Sequence, residues 1–446
     1  MQKFFGTDGV RGRAGETITA QLACTIGAAL ATILYRESGE RPRIMIGRDT
    51  RISGTMLEQA LAGGICAGGG EALLLGVIPT PAVSGLVRAE NAQAGVVISA
   101  SHNPFDDNGI KIFGADGRKF DDAKEAEIEA YLRGEKQLPA LTGGDIGFVT
   151  AYPGGAAHYM QTLLRRFPLD LSGLKLVVDT AHGATSDFAA TLFEQLGATV
   201  VAMFHRYDGL NINENCGSTK PEAMAKAVRT HGADLGVAYD GDGDRLILAD
   251  REGNLIDGDR ILALLAVYLK DKGELAEDLL VVTVMSNMGL RLAMQEHGIR
   301  IADTKVGDKH VMAEMDRQGG VLGGEQSGHI ILSRYNPTGD GMLTSLLVLQ
   351  VMRETGKSLA ELAAVMTPLP QINVAVRVSR RDEWQSDPAV QAAVQDAEQR
   401  LQPKGRILIR PSGTEPVLRV MGEGEDELVL RQAIDRLVTV IEKALK

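Results

Sequence analysis

The sequence predicts an α/β protein with three similar α/β domains of mixed, mostly parallel sheets and a smaller α+β domain at the C-terminal end, around a central cleft. One pattern, an apolar strand followed by a short polar turn and an amphipathic helix, recurs three times before residue 371. From Gln371 onward the pattern changes to an alternating strand, a helix, two strands and a final helix. The boundaries that we predict are 1–150, 151–252, 253–370 and 371–446.

Composition limits the classes of partner. The net charge of -11 argues against a nucleic acid or an anionic membrane surface as the main partner. The three cysteines are widely spaced without a C-x-x-C pair, which indicates neither a disulfide framework nor a zinc site. The longest strongly apolar run, Ile261 to Leu269, is far shorter than the ~20 residues of a membrane-spanning helix. We therefore expect a cytoplasmic protein.

Each of the three repeats ends in a strand that leads into a conspicuous loop. These third strands are predicted at Gly95 to Ile98, Leu235 to Tyr239 and Gly320 to Leu322. Parallel strands with right-handed crossovers place their carboxyl ends at one edge of a sheet, where open α/β sheets bind ligands. We expect one functional loop per domain, facing a shared cleft.

The first of these loops contains Ser101, in the run Ile98-Ser-Ala-Ser-His-Asn-Pro104. Most serines in such turns only bond the neighbouring backbone. A Ser-His-Asp hydrolase fits poorly, because the G-x-S-x-G elbow is absent. The ring of His102 would also point away from the Ser101 side chain in an extended segment.

The second loop is Asp240-Gly-Asp-Gly-Asp-Arg245, whose three carboxylates can converge because glycine permits a tight backbone. Neighbouring carboxylates ~4 Å apart repel by roughly 4 kcal/mol at an effective dielectric of ~20. A cation would offset that repulsion, and all-oxygen ligands from short side chains suit Mg²⁺. The alternative is a solvated acidic turn. An EF-hand is excluded, since Arg245 and Arg251 stand where it needs Gly and Glu.

Other segments offer groups that suit a phosphorylated sugar. Arg410 opens a loop with hydroxyls and glycine-flanked amides that resembles a phosphate cradle, and Arg419 could add a second fork. Arg11, in a glycine-rich opening, and Lys111 could approach the serine loop. In the third loop, Glu325, Ser327 and His329 offer donors and acceptors for sugar hydroxyls. Each feature alone is as well explained by an ordinary turn or a solvated side chain.

Together these loops indicate phosphoryl transfer on a phosphosugar. The chain has no G-x-x-x-x-G-K-[ST] motif, so no bound nucleotide is indicated. The phosphoryl donor would then be the protein itself, at Ser101.

The whole chain resembles the α-D-phosphohexomutase superfamily, whose members have four domains. The resemblance rests on Ser-His-Asn-Pro at 101–104, the Asp loop at 240–245, Gly-Glu-x-Ser-Gly-His at 324–329 and the loop at 410–416. Phe5-Gly-Thr-Asp-Gly-Val-Arg-Gly12 and Gln326 resemble the bacterial branch that acts on glucosamine phosphate. Asp308 stands where other relatives place a histidine, which also favours that branch.

The resemblance implies an isomerase that interconverts glucosamine 6-phosphate and glucosamine 1-phosphate, a step toward the cell-wall precursor UDP-N-acetylglucosamine. Ser101 would be the phosphoserine, and a bisphosphorylated sugar the intermediate. The implied Mg²⁺ ligands are Ser101, through its phosphate, Asp240, Asp242 and Asp244. The predicted catalytic residues are Ser101, His102, Lys111, Arg11 and Arg245, with Lys111 or His102 as the general acid/base. The predicted substrate-binding residues are Lys305, Glu325, Ser327, Arg410, Ser412, Gly413, Thr414 and Arg419.

The expected partners are a small phosphosugar substrate and a sugar bisphosphate activator, with no nucleic acid and no membrane, and a homodimer stays open. Two alternatives also stay open. One is a phosphoglucomutase or phosphomannomutase, and the other is a non-catalytic sugar-phosphate sensor in which phosphorylation of Ser101 is regulatory.

Overall fold

The computed structural model describes residues 3–6, 8–411 and 416–446. The chain forms two compact units, one of residues 1–285 with 300–363 and one of residues 286–299 with 364–446. Among the described residues, no helix combines the length and the apolar character needed to cross a membrane.

The N-terminal part of the first unit contains a six-stranded sheet in the order β1-β5-β4-β2-β3-β6. Strands β2, β3, β4 and β6 pair in parallel, whereas β5 pairs antiparallel with both β4 and β1. Its elements are β1 (Val10–Arg13), α1 (Ala20–Ser38), β2 (Arg43–Arg48), α2 (Ser53–Ala67), β3 (Glu71–Val77), α3 (Thr80–Ala89), β4 (Ala94–Ile98), β5 (Asp107–Gly114), α4 (Asp122–Leu132) and β6 (Phe148–Ala151).

Helices α1 and α2 pack unusually closely because glycines lie at their contact. A Cβ at Gly64 would meet the carbonyl oxygen of Cys24 at 2.0 Å, and one at Gly27 would meet that of Leu61 at 2.3 Å. Helix α1 begins at the side-chain cap of Thr19 and ends at Gly39, whose φ of 71° suits a helix C-terminus. This pair covers the apolar core under β2 and β4.

The second part is a five-stranded sheet in the order β11-β10-β9-β7-β8, with β10 antiparallel to β9. Its elements are α5 (Gly155–Arg166), β7 (Lys175–Asp179), α6 (Ala189–Gln195), β8 (Thr199–Met203), α7 (Glu222–His231), β9 (Leu235–Tyr239), β10 (Leu246–Ala249) and β11 (Leu255–Ile256).

The third part is a four-stranded sheet in the order β13-β12-β14-β15, with β15 antiparallel to β14. The elements of this part of the chain are α8 (Gly258–Asp271), β12 (Leu279–Thr283), α9 (Met288–Glu296), β13 (Arg300–Thr304), α10 (Asp308–Gln318), β14 (Leu322–Gly324), β15 (Ile330–Leu332), α11 (Gly341–Thr355) and α12 (Leu359–Ala363). Of these, α9 belongs to the second unit.

The C-terminal sheet is antiparallel, in the order β16-β18-β17, and two helices pack on its apolar core. Its elements are β16 (Gln371–Arg377), α13 (Pro388–Leu401), β17 (Arg406–Pro411), β18 (Val417–Glu423) and α14 (Glu427–Ala444). The fold class is confirmed: an α/β architecture with mixed, mostly parallel sheets and a smaller C-terminal domain.

The three predicted functional loops occupy the same place in their sheets. Each loop leaves the last parallel strand and returns as an antiparallel neighbour, in the pairs β4–β5, β9–β10 and β14–β15. The strand predicted at Gly320 to Leu322 was wrong in its bounds, since β14 covers Leu322–Gly324. Glycines 323 and 324 pair with β12 despite their low strand propensity. The reason is close packing, because a Cβ at Gly323 would lie 2.7 Å from the sulfur of Met315.

Candidate active site

Ser101 lies just beyond β4, with its side chain directed at the Asp loop. Its hydroxyl donates a 2.6 Å hydrogen bond to Oδ2 of Asp240, and the residue is 1% exposed. Its backbone φ is 53°, in the left-handed region that non-glycine residues rarely adopt. The turn after β4 therefore presents the hydroxyl to a carboxylate that comes from another sheet.

The left-handed turn overturns one expectation. Because the segment is not extended at Ser101, the ring of His102 does not point away, and its Nδ1 lies 3.3 Å from the Ser101 hydroxyl oxygen. His102 is half-buried. Burial first, and then the nearby Arg245 and Arg11, lower the pKa of His102 to about 4. Its imidazole is therefore neutral at neutral pH.

The three aspartates converge as predicted from their spacing. Ligand oxygens of Asp240, Asp242 and Asp244 lie within 4.8 Å of one another, and all three residues are buried. One oxygen each of Asp242 and Asp244 is buried without a hydrogen-bond partner among the described residues. Orphaned buried carboxylate oxygens are unfavourable unless a cation takes them up, so this group fits a metal ion.

The electrostatics of the cluster reflect its crowding. Burial, followed by the neighbouring carboxylates, raises the pKa of Asp240 well above its usual range. Burial also opposes ionisation of Asp244, but Lys111 and His329 beside it hold its pKa well below the usual range. Asp242 is further fixed by Thr80, whose hydroxyl donates to its Oδ2 at 2.6 Å.

Two of the three predicted basic side chains contact this cluster, and the third contacts the serine loop beside it. Lys111, on β5 opposite Val97 of β4, places its Nζ 2.8 Å from Asp242 and 3.4 Å from Asp244. Arg11, on β1, donates to the carbonyl of Ala100 at 3.3 Å. The Nε of Arg245 lies 4.0 Å from both Asp240 and Asp244.

Asp8 is a residue of this site to which the sequence analysis gave no role. Its carboxylate contacts Arg11 and Lys119, and lies 3.3 Å from Lys111. Burial opposes its charge, but Lys111, Lys119 and Arg11 hold the pKa of Asp8 well below its usual range. The only sequence signal was its place in the glycine-rich opening, three residues before Arg11.

The third loop joins the Asp loop through its backbone. Leu246 donates to the carbonyl of Gly328 at 3.0 Å, and Arg245 forms an isolated bridge with His329. The hydroxyl of Ser327 is buried without a partner in the described part of the chain, and Oε1 of Glu325 accepts from the amide of Gly307 at 3.0 Å. The third loop therefore lies next to the Asp loop, with the hydroxyl of Ser327 free to bond a ligand.

His329 differs from expectation. His329 is 4% exposed, lies 3.6 Å from both Asp244 and Asp308, and accepts a hydrogen bond from Gly339. It is thus engaged with protein groups rather than open to sugar hydroxyls. Lys305 directly follows β13, and its exposed side chain forms no ion pair with any described residue.

In the second unit, Arg410 and Arg419 stand directly opposite each other on β17 and β18. Neither has a carboxylate partner in the described residues, and burial together with Arg419 lowers the pKa of Arg410. Like charges facing across strands are destabilising, so an anion between them would stabilise the pair. The predicted contacts Ser412, Gly413 and Thr414 lie outside the described residues.

Four family models match consecutive parts of the chain. They describe phosphoglucomutase/phosphomannomutase alpha/beta/alpha domain I at residues 2–139, domain II at 157–253, domain III at 257–369 and the C-terminal domain at 374–440.

Curated relatives match over nearly the whole length. A phosphoglucosamine mutase from Heliobacterium modesticaldum is 50% identical, covering 99% of this chain and 100% of the relative. One from Pelotomaculum thermopropionicum is 51% identical, with the same two coverages.

Among solved structures, a phosphoglucomutase/phosphomannomutase family protein from Burkholderia thailandensis has a TM-score of 0.84 at 25% identity, covering 100% of this chain and 98% of that one. The Aspergillus fumigatus N-acetylphosphoglucosamine mutase has the same fold, with a TM-score of 0.69 at 18% identity over 99% of this chain and 96% of that one. Since four consecutive domain models and full-length relatives agree with the loops described above, the chain belongs to the phosphoglucomutase/phosphomannomutase family, in the α-D-phosphohexomutase superfamily.

Proposed function

We propose that this chain is a phosphoglucosamine mutase, which interconverts glucosamine 6-phosphate and glucosamine 1-phosphate through a phosphoserine at Ser101. The observation that carries the chemistry is the 2.6 Å hydrogen bond between the Ser101 hydroxyl and Asp240, at the edge of a buried carboxylate cluster. The substrate is proposed from the relatives of about 50% identity that bear this name.

The reaction consists of two phosphoryl transfers. In the first, the bond between phosphorus and the Ser101 oxygen breaks, and the phosphoryl group forms a bond to the free hydroxyl of the sugar monophosphate. The proton of that hydroxyl ends on the Ser101 oxygen. In the second, the bond between the other phosphorus and its sugar oxygen breaks, and that phosphoryl group forms a bond to the Ser101 oxygen. The Ser101 proton moves to the sugar oxygen, which leaves the isomeric monophosphate.

Asp240, Asp242 and Asp244 would hold Mg²⁺ together with an oxygen of the Ser101 phosphate. When bound, the ion would neutralise charge on the transferring phosphoryl group. A phosphoserine brings roughly -1.5 to -2 charges, so three aspartates and one divalent ion still leave an excess of negative charge. Lys111, Arg11 and Arg245 surround the cluster and supply the positive charge that phosphoryl transfer requires.

His102 fits the role of proton acceptor better than Lys111 does. Its low pKa keeps the imidazole neutral, and its Nδ1 lies 3.3 Å from the Ser101 oxygen. Burial opposes the charge of Lys111, yet Asp242, Asp8 and Asp244 hold its pKa above the usual range, so it keeps its proton. We therefore assign proton transfer to His102 and charge stabilisation to Lys111. Near-normal turnover in His102→Gln would exclude His102.

Ligand recognition is proposed to divide between two loops. Glu325 and Ser327, with Lys305 at the end of β13, would bond the sugar hydroxyls and the approaching phosphate. Arg410 and Arg419, together with Ser412, Gly413 and Thr414, would bind the phosphate that does not react. The unpaired hydroxyl of Ser327 and the facing guanidinium groups support this division.

The test is kcat/KM for glucosamine 6-phosphate, glucose 6-phosphate and mannose 6-phosphate, on protein primed with glucose 1,6-bisphosphate and Mg²⁺. We expect a preference of about 100-fold or more, ~2.7 kcal/mol, for the amino sugar. Comparable rates on the glucose or mannose phosphates would overturn the proposed substrate but not the proposed phosphoryl transfer. If isotopically labelled phosphate on Ser101 did not exchange with sugar phosphate, the chain would be a non-catalytic sensor and not an enzyme. Cytoplasmic location and a homodimer stay predictions.

A further inference from the structure

The left-handed backbone conformation of Ser101 requires stabilising contacts from other residues. A non-glycine residue in the left-handed region is disfavoured by roughly 1–2 kcal/mol, and Ser101 holds a φ of 53° beside the reacting hydroxyl. Such conformations persist only where surrounding groups determine them.

One set of groups comes from the turn after β2. Arg51 is 1% exposed, and its Nη2 donates to the carbonyls of Ser101 and Asn103, at 2.9 Å each. Its Nη1 donates to the carbonyls of Pro104 and, at 3.0 Å, Asp107. The guanidinium thus holds the C-terminal side of the loop through hydrogen bonds. The Nη1 and Nη2 donors of Arg51 are bonded to these carbonyl oxygens.

The same turn also holds the N-terminal side of the loop. Asp49 accepts from Nε of Arg51 at 2.8 Å and from the hydroxyl of Ser99 at 2.6 Å. The oxygen of that hydroxyl in turn accepts from the amide of Ser101 at 2.9 Å. The backbone of Ser101 is therefore bonded on both of its sides.

A second group comes from the neighbouring sheet. The side-chain amide of Asn213, between β8 and α7, donates to the carbonyls of Ser101 at 2.8 Å and Asn103 at 3.0 Å. A Cβ at Gly241 would lie 2.6 Å from the Ser101 carbonyl and 2.8 Å from Nδ2 of Asn213. The serine loop, the Asp loop and Asn213 therefore meet at one point.

We propose that Arg51 and Asn213 are positioning residues that hold Ser101 in its left-handed conformation, with its oxygen against the carboxylate cluster. The proposal rests on the proposed function for its kinetic consequence. Both side chains bond the carbonyl oxygen of Ser101, and neither is bonded to its hydroxyl oxygen. Their loss therefore lowers kcat, because small misplacement of a reacting group slows chemistry, and leaves KM nearly unchanged.

Asn213→Gly is the decisive variant, and Asn215→Gly is its matched control. Both asparagines have left-handed backbones, with φ values of 59° and 55°, so glycine relieves strain equally at both. Asn215 makes no hydrogen bond to the serine loop in the structure as described. Asn213→Gly also leaves all the Arg51 bonds in place, so we expect the chain to fold.

We expect Asn213→Gly to lower kcat by about 10- to 100-fold with KM changed by less than about 3-fold, and Asn215→Gly to behave as the parent protein. Arg51→Lys, which keeps the charge but loses the planar fork, should lower kcat at least as far. A raised KM with normal kcat, or equal kcat in the two asparagine variants, would overturn the proposal.

Hydrogen exchange of the segment 99–108 gives a readout that does not depend on the reaction. Asn213→Gly should speed exchange there relative to Asn215→Gly, and equal exchange would overturn the proposal. If the parent protein shows no mutase activity, the proposed function fails, and hydrogen exchange alone decides whether Asn213 holds the loop.

Discussion

The ammonium nitrogen of Lys111 lies 2.8 Å from Oδ2 of Asp242, inside the carboxylate cluster. The lysine is 2% exposed, and its other partners are Asp244 and Asp8. A buried charge is tolerated only with such partners, so the lysine and the carboxylates stabilise one another in the absence of a metal ion.

Lys111→Met should destabilise the metal-free protein strongly. Removing one partner of a buried pair costs about 3–5 kcal/mol, because the remaining charges are left uncompensated, and roughly 5 °C or more in melting temperature follows. Added Mg²⁺ should recover part of this loss by neutralising the same carboxylates. Thermal melts with EDTA and with MgCl₂ measure both effects. Lys309→Met is the control, because this lysine pairs with Asp122 and Glu125 instead. Any fall in its melting temperature should not be recovered by Mg²⁺.

Mg²⁺ should stabilise the parent protein through the three aspartates. A ligand that binds only the folded state at about 100 times its Kd adds ~2.7 kcal/mol. Asp242→Asn should lose most of the resulting rise in melting temperature, because it removes one charge from the cluster. Asp116→Asn, on an exposed turn, is the control that should keep the full rise. An undiminished rise in Asp242→Asn would show that the ion binds elsewhere.

Lys119 connects the first sheet to α10. Its Nζ contacts Asp8, and lies 2.6 Å from Asp308. Lys119→Met should cost about 3 kcal/mol, since Asp308 loses its lysine and Asp8 loses one of its three basic partners. The double variant Lys119→Met with Asp308→Asn should recover part of this, which a double-mutant cycle on melting data measures. The neighbouring Arg118, in an exposed pair with Asp316, should contribute less than about 1 kcal/mol.

Glu129 gives a prediction for pH. Its Oε1 accepts from the amides of Phe4 and Phe5, at 2.8 and 2.9 Å. Burial opposes the charge, but these amides and Arg133 hold the pKa of Glu129 below its usual value of 4.5. A carboxyl with a lowered pKa stabilises the fold above the unfolded pKa and loses this contribution as pH falls.

Glu129→Gln should therefore lower stability at pH 7 by about 1–3 kcal/mol. The difference from the parent protein should shrink as the pH falls below about 4.5. Melting curves at pH 7 and pH 4 make this measurement. Glu135→Gln, which removes the exposed partner of Arg133, should change the pH dependence much less, because solvent screens that pair.

The fold and the convergence of the three aspartates could be predicted from the sequence because they depend on local patterns. Alternating strands and helices determine where strand ends meet. The Asp-Gly-Asp-Gly-Asp spacing of residues 240–244 lets the three carboxylates converge within one short loop. The strand at 322–324 was misplaced by two residues because its glycines are selected by packing rather than by propensity.

The remainder depends on contacts between distant parts of the chain. Asp8, Lys119 and Asp308 are ordinary charged residues in the sequence, and only the packing of α10 beside the first sheet brings them together. The orientation of His102 likewise follows from the left-handed backbone of Ser101. The residue type serine does not predict that conformation. The domain boundaries and the roles of the site residues stay predictions.

Asn213 follows Ser101 by 112 residues in the chain. At synthesis rates of ~5–20 residues per second, Ser101 is added to the chain roughly 6 to 22 s before Asn213. During that interval the loop has Arg51 but lacks the contacts from the second sheet and from Asp240. An unfinished chain therefore carries Ser101 without the hydrogen bonds from Asn213 and Asp240 that surround it in the folded structure.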